Sequence, residues 1–185
     1  MDDMGAHRMN VPEELAEYKL ERAELAIALP SDWKLDEESL KDERWCWPIG
    51  LLKVLARLPI ALDTWLGWGH TMDKESSFAE NTDLCASILI SPQGVEEGNE
   101  TCTLPNGEVV NFYQVIPLYR DEMEYKLEND VDALFEKMED ILFYRLVSRS
   151  LIRSYTVSKL GIVNVSGMCF NTCISFVNSF NPIMS

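Results

Sequence analysis

The sequence predicts one domain of the α/β or α+β class, in which helices flank a mixed β-sheet. Two observations carry this prediction. Hydrophobic residues recur at helical spacing in some stretches and at strand spacing in others, and an asparagine–glycine pair separates two strand-like runs. The length of 185 residues and the apolar content of 46% suit one domain with a sizeable core.

The N-terminal part predicts a strand followed by a helix. Residues 23–29 predict a strand that a short helix or turn precedes, although one continuous helix fits nearly as well. Pro48 stands where a first-turn proline is expected, apolar residues follow it at helical spacing, and Pro59 ends the predicted helix. Residues 61–72 then predict a strand that runs into a glycine-containing turn.

The middle of the chain predicts a buried strand, a hairpin and a helix. The apolar run 83–92, which Pro92 bounds, predicts the buried strand. Asn106-Gly107 predicts a two-residue primed turn, with a further strand at about 108–116. The stretch that follows, which begins at Arg120, predicts a helix, and Asp130 could cap the start of a second helical segment within it. Its apolar stripe consists of Leu127, Val131, Leu134, Phe135, Met138 and Leu142.

Charge is unevenly distributed along the chain. The net charge is −15, and all 31 acidic residues lie at or before Asp140, together with 12 of the 16 bases. The last 45 residues carry four bases and no acid. This balance argues against a protein that holds nucleic acid through phosphate contacts, because such contacts need clustered lysine and arginine. It suits a soluble protein, or one that meets a basic partner through electrostatic steering.

Composition also predicts a cytoplasmic location. The N-terminal segment lacks the apolar stretch of a secretory signal. The five cysteines are odd in number and have no metal-binding spacing, which is typical of reduced thiols.

No short motif for catalysis, metal or cofactor binding is present, so the sequence predicts no cofactor. Cys46 is interpreted as a buried structural thiol. All five tryptophans fall between positions 33 and 68, which predicts mainly a core that packs a helix on the sheet. The alternative is an enzyme or small-ligand binder with a pocket near Trp65, Trp68 and His70. A turn histidine that backbone groups satisfy is the competing role for His70.

The order of several segments resembles the suppressor-of-fused domain family in its bacterial form. The segments are "AELAIALPSDW", "WPIGLLKVLARLP", the turn at Gly69-His70-Thr71 and "YQVIPLYRDEMEYK". The resemblance covers about residues 6–145. It implies an α/β fold with a mixed sheet and no enzymatic activity. Animal members restrain a transcription factor by clamping an extended peptide, and bacterial members are thought to include immunity proteins that neutralise toxins.

These implications predict a protein that occludes a toxin partner. The sequence does not indicate its oligomeric state. The animal peptide-binding residues are not carried over, because part of that clamp lies in a second domain for which this chain is too short. Residues 1–145 are the predicted family domain, which could lack its first strands, since family members usually have several dozen residues before this point.

Residues 146–185 form a divergent, acid-free tail with three open interpretations. The tail could be a divergent end or an altered reading frame, or it could complete the sheet through the segment "YTVSKLGIVNV". The third interpretation is a tail anchor over residues 160–185, because this stretch carries no charge. Its asparagines and serines, however, suit a membrane poorly.

Overall fold

The computed structural model describes residues 4–30, 32–93, 95–96, 98–138, 160–164 and 181–183, the last two by their backbone alone. Short 3-10 helices span Met4–Ala6, Glu13–Tyr18 and Ser39–Lys41. The strands are β1 (Ala23–Pro30), β2 (Thr71–Asp73), β3 (Ala86–Ile90), β4 (Thr101–Thr103), β5 (Val109–Leu118), β6 (Leu160–Asn164) and β7 (Asn181–Ile183). The helices are α1 (Glu43–Leu62), α2 (Arg120–Glu128) and α3 (Val131–Lys137).

The strands form one mixed sheet in the order β6-β1-β5-β3-β2-β7, with β4 also paired to β5. β1 runs parallel to β5, and the other described pairs are antiparallel. β5 is central because β1 lies along one side of it, while β3 and β4 follow one another along the other side. The predicted class, a mixed sheet flanked by helices, is confirmed.

The two faces of the sheet bury different sets of side chains. Alternate residues of a strand point to opposite faces, and the strand residues divide accordingly between two apolar clusters. Leu25, Leu89 and Val115 pack with α1 on one face. Ile88 and Ile116 pack with α2 and α3 on the other face. Each face therefore has its own helical layer, so both apolar faces of the sheet are buried.

Helix α1 begins five residues before the predicted start at Pro48. Asp42 caps it by accepting a hydrogen bond from the backbone N–H of Arg44 at 3.0 Å. Pro48 thus lies inside the helix and donates no bond to the carbonyl of Arg44 four residues earlier. The side-chain amide of Asn81 donates to that carbonyl instead, at 3.3 Å. This substitute donor explains why the helix tolerates the proline.

The end of α1 and the segment after it also differ from the prediction. The helix continues past Pro59 to Leu62, and Asp63 ends it in the left-handed conformation (φ 49°). The predicted strand within residues 61–72 is wrong, because α1 takes its first two residues and the turn closed by Gly67 and His70 comes before the next strand. β2 starts only at Thr71.

The hairpin between β4 and β5 is confirmed, but its turn is of a different type. Gly107 donates to the carbonyl of Leu104 at 2.9 Å, and Leu104 donates to the carbonyl of Glu108 at 2.8 Å. Gly107 has positive φ (84°), whereas Asn106 does not. The loop is therefore a three-residue turn with a bulge at glycine. Pro105 favours it because a proline fits the second position of a type I turn.

β5 runs two residues beyond the predicted end and includes Pro117. Asn111 donates its backbone N–H to the carbonyl of Arg22, on the side of β5 that faces β1. Pro117 lies an even number of residues later in the strand, so its nitrogen faces the same side. The pairing between β1 and β5 has already ended at Gln114. The missing N–H therefore costs no bond of that ladder.

The predicted C-terminal helix is divided in two at the predicted cap. Asp130 accepts a hydrogen bond from the N–H of Ala133 at 2.7 Å and so starts α3. Leu127, which the stripe places in the core, is 38% exposed, while Met123 and Lys126 are buried. The periodicity fails there because the break after α2 changes the helical register. Leu142 lies outside the described residues.

Two described segments of the tail pair with the sheet. β6 lies antiparallel to β1, and β7 lies antiparallel to β2. Sheet completion is thus the interpretation of the tail that agrees with residues 160–164. The boundary between residues 145 and 146 stays a prediction, as does the tail anchor over 160–185, most of which lies outside the described residues.

Helix α1 is also long and apolar enough to cross a membrane. Its best window has a mean hydropathy of 1.4, and no other helix within the described ranges passes the same test. More than half of that window, 56%, is buried in the fold. A core helix meets the test equally well, so the result is weak evidence for a membrane span.

Candidate functional site

The tryptophan-rich window forms an aromatic cluster under α1, which we define as Trp33, Trp45, Trp47 and Phe78. Trp47 is fully buried and stacks on Phe78, with ring centroids 5.1 Å apart and planes 5° apart. Trp33 meets the rings of Trp45 and Trp47 edge-on, and its indole N–H donates to the carbonyl of Trp45 at 3.0 Å. These rings pack the helix against the sheet, as the core interpretation predicts.

Trp68 does not belong to that core, because a tight turn carries it outward. His70 donates its backbone N–H to the carbonyl of Gly67, and Gly69 between them has φ 79°. This geometry is a type II turn, which favours glycine at its third position. Gly69 also donates its backbone N–H to the carbonyl of Leu89, and Leu89 donates to the carbonyl of His70. Gly69 and His70 therefore lie opposite the single residue Leu89, as in a glycine bulge. Trp68 is 48% exposed as a result.

The same turn fixes the imidazole of His70. Its Nδ1 accepts a hydrogen bond from the N–H of Gly67 at 3.3 Å, which assigns the proton of the neutral ring to Nε2. The ring of Trp65 meets it edge-on at 4.4 Å. Burial, and secondly the positive charge of Lys126, lower the pKa of His70 below its ordinary value. Backbone groups therefore satisfy His70, as the competing role for this residue predicts.

The three candidate residues are neighbours in sequence but differ in exposure. Trp65 is partly buried and packs on the core, Trp68 is exposed, and His70 is half-buried. Among the described residues, no group of three or more His, Cys, Asp or Glu side chains could hold a metal ion. The pocket at Trp65, Trp68 and His70 stays a prediction.

A partly buried ion pair at the opposite end of β2 was not predicted from the sequence. Both terminal nitrogens of Arg120 reach Asp73, at 2.5 Å and 2.9 Å, and Asp73 also accepts the N–H of Glu75. The carboxylate keeps only 10% of its side-chain exposure. Arg120 has a raised pKa, mainly because it donates to Asp73. The pair fixes the start of α2 to the end of β2.

Cys85 lies beside this ion pair. Burial, the largest influence on it, raises the pKa of the thiol, and the opposing charges of Arg120 and Asp73 act on it as well. Because the thiolate is the reactive form of cysteine, a raised pKa disfavours a nucleophilic role. Cys46 is buried against Leu40 and Ile49, in agreement with its predicted structural role.

The sheet also carries an interruption that sequence periodicity alone does not indicate. β3 ends at Ile90 opposite Gln114, and β4 resumes at Thr101 opposite Asn111. Ten residues therefore leave the ladder over a very short stretch of β5. We call residues 91–100 the acidic loop, of which 91–93, 95–96 and 98–100 are described. The loop and β4 are largely exposed.

The architecture defines a class before any relative is considered: an α+β domain with a mixed sheet between two helical layers. Residues 3–149 match the family described as Suppressor of fused protein (SUFU). This protein belongs to the suppressor of fused family, and the sequence-based prediction of that family is confirmed.

The relatives include a bacterial protein and solved structures. The chain is 27% identical over 137 residues to the uncharacterized protein UU111 of Ureaplasma parvum serovar 3, a match that covers 74% of this chain and 64% of the relative. A crystal structure of Drosophila Suppressor of Fused shares 17% identity, with a TM-score of 0.46, over 60% of this chain and 25% of that one. A Sufu–Fu complex structure shares 15%, with a TM-score of 0.47, over 60% and 45%. The chain thus spans less than two thirds of each.

Proposed function

We propose that this protein is a non-catalytic binding protein of the bacterial immunity type, which neutralises a toxin partner by occlusion. Family membership over residues 3–149 carries the proposal, and a suppressor of fused protein forms a complex with Fu. The net charge of −15 supports a basic partner, because opposite long-range fields raise the rate of encounter. We propose no cofactor, no nucleic acid and no membrane as partners.

A cytoplasmic location completes the proposal. Cys85 and Cys102 are free thiols, and Cys102 is exposed. An exposed free thiol suits a reducing compartment.

Co-expression with toxin domains encoded beside the gene tests the proposal. We expect the chain to restore growth of cells that express its toxin and to elute with that toxin as one complex. The association rate should fall more than about tenfold between low and high salt, because salt screens charges separated by more than about 10 Å. Failure to rescue growth with any adjacent toxin would contradict the immunity role.

The alternative, an enzyme or small-ligand binder at Trp65, Trp68 and His70, gives a different result in the same assay. His70→Asn keeps an acceptor near the position of Nδ1 and removes the titratable ring. Immunity by occlusion through another surface predicts unchanged growth rescue by this variant. Loss of a turnover, with stability unchanged, would favour the alternative.

A further inference from the structure

We propose that the outer edge of β4 binds an extended, basic segment of the protein partner as an added β-strand. The inference rests on the proposed protein-binding function and names the surface and the chemistry of the bound segment. It depends on the direction of the backbone groups in β4, on their exposure, and on the charge around them.

The hydrogen bonds on either side of β4 fix which of its backbone groups face β5. Phe112 donates its N–H to the carbonyl of Glu100 at 2.8 Å, and Leu104 donates its N–H to the carbonyl of Glu108 at 2.8 Å. In an antiparallel ladder, hydrogen-bonded pairs alternate with pairs that have no bond between them. The even-numbered residues of this part of the chain therefore bond to β5.

It follows that β4 presents unpaired backbone groups at its outer edge. Cys102 is even-numbered and pairs with Val110, so its N–H and carbonyl face β5. The N–H and carbonyl groups of Thr101 and Thr103 then point away from β5. All three residues of β4 are exposed. These four groups are the ones that an added strand would bond.

No strand within the described ranges lies beside this edge. β2 is on the same side of β5 but pairs only with β3 and β7. The position next to β4 is therefore in line with β2, beyond the turn at Gly69. The exposed ring of Trp68 precedes that turn. An added strand would continue the row that β2 begins.

β4 is only three residues long, and shortness is one way in which edge strands avoid pairing, but its sequence lacks the other protections. Natural edge strands are protected by lysine, by proline or by bulges within the strand. The sequence of β4 is Thr-Cys-Thr, and threonine favours strands. Pro92 and Pro105 lie outside it.

The charge around the edge selects a basic segment. From Ser91 to Tyr119, the part of the chain that leads into and out of β4, there are four acidic residues and no base. Glu96 in the acidic loop is exposed. Glu108 is paired with Arg22 at 2.9 Å, but no described lysine or arginine forms an ion pair with Glu96 or Glu100. Lysine or arginine side chains of an added strand would find partners there.

The probe is a peptide of about nine alternating lysines and threonines, with a glutamate–threonine peptide as its charge control. Amide exchange of the whole chain gives the most direct result. On addition of the basic peptide, the amides of Thr101 and Thr103 should become protected. The amide of Cys102, which already faces β5, should not change. Unchanged exchange at both threonines under saturating peptide would overturn the proposal.

Matched variants test the same edge through affinity, measured by fluorescence anisotropy. Thr103→Pro removes an outward N–H without removing a bond to β5 and should weaken binding of the basic peptide about tenfold. Thr103→Ala keeps the N–H and should bind within about twofold of the original chain. Equal binding by the proline variant, with an unchanged melting temperature, would contradict strand addition.

Charge reversal separates the two parts of the proposal, because it changes the acidic side chains and leaves the sequence of β4 intact. The double variant Glu96→Lys with Glu100→Lys should lose affinity for the basic peptide and gain it for the acidic one. Retained preference for the basic peptide would show that the acidic loop does not select it. If a toxin is neutralised equally well by Thr103→Pro, the edge proposal fails while the immunity proposal stands. If no toxin is neutralised but the peptide results hold, the immunity proposal fails while the edge proposal stands.

Discussion

The two faces of the sheet are stabilised by different means. On the α1 face, a 20-residue helix packs through the aromatic cluster, and Trp47 is fully buried there. On the opposite face, two short helices pack through aliphatic side chains, and the ion pair between Arg120 and Asp73 holds the first of them. Burial of large rings is nearly independent of salt and pH, whereas a half-exposed charge pair depends on both.

This difference indicates which side of the molecule is adaptable. The α1 layer is a continuous core, so that any opening of it exposes several rings at once. The α2 and α3 layer contributes fewer and smaller buried side chains, and polar contacts such as the cap at Asp130 add to them. Elements with few buried contacts open at lower free energy than core elements. The predictions below set the two faces against each other.

The largest expected effect is on the α1 face. Trp47→Ala removes the stack on Phe78 and leaves a cavity, and we expect it to lower the free energy of unfolding by about 3–5 kcal/mol. The matched control is Trp68→Ala, whose ring is 48% exposed, with an expected loss of about 0.5 kcal/mol. Urea denaturation monitored by circular dichroism measures both. Equal losses would show that the tryptophans do not divide into core and surface as described.

The sequence predicts the strands of this core better than its helix. Period-two burial identifies β1, and a continuous apolar run identifies β3, because these patterns follow directly from the geometry of a buried strand. The boundaries of α1 escape prediction because Asn81, distant in sequence, bonds the carbonyl that Pro48 leaves free. Such compensation depends on tertiary contacts, which local rules do not contain.

The second effect concerns the opposite face. Arg120→Met leaves the carboxylate of Asp73 largely buried without its main partner, and we expect a loss of about 1–3 kcal/mol. The value lies below that of a fully buried pair because the side chain of Arg120 is 38% exposed. In a double-mutant cycle with Asp73→Asn, the two losses should not add. Strict additivity would show that the pair does not couple β2 to α2.

The ion pair and the β4 edge also mark the limit of sequence reasoning about sites. Asp73 and Arg120 are 47 residues apart, and nothing in either local pattern indicates that they meet. The clustering of the tryptophans, by contrast, is evident in the sequence. The sequence does not show, however, which of these rings lie in the core and which lie at the surface. Trp47 faces the core because α1 turns it inward, and Trp68 faces outward because Gly69 requires a turn. Only the backbone decides between them.

The smallest effect is expected at His70, where α2 approaches the turn before β2. Its pKa is lower in the folded chain than the ordinary value of 6.5, so the unfolded chain takes up a proton first as the pH falls. Folding stability should therefore decrease as the pH falls through about 6.5 and below. His70→Asn offers Gly67 an acceptor that does not titrate. The stability difference between the two chains should be constant above about pH 7.5 and shift in favour of the variant toward pH 5.5. Parallel stability curves over that interval would show that the half-buried imidazole does not link folding to pH.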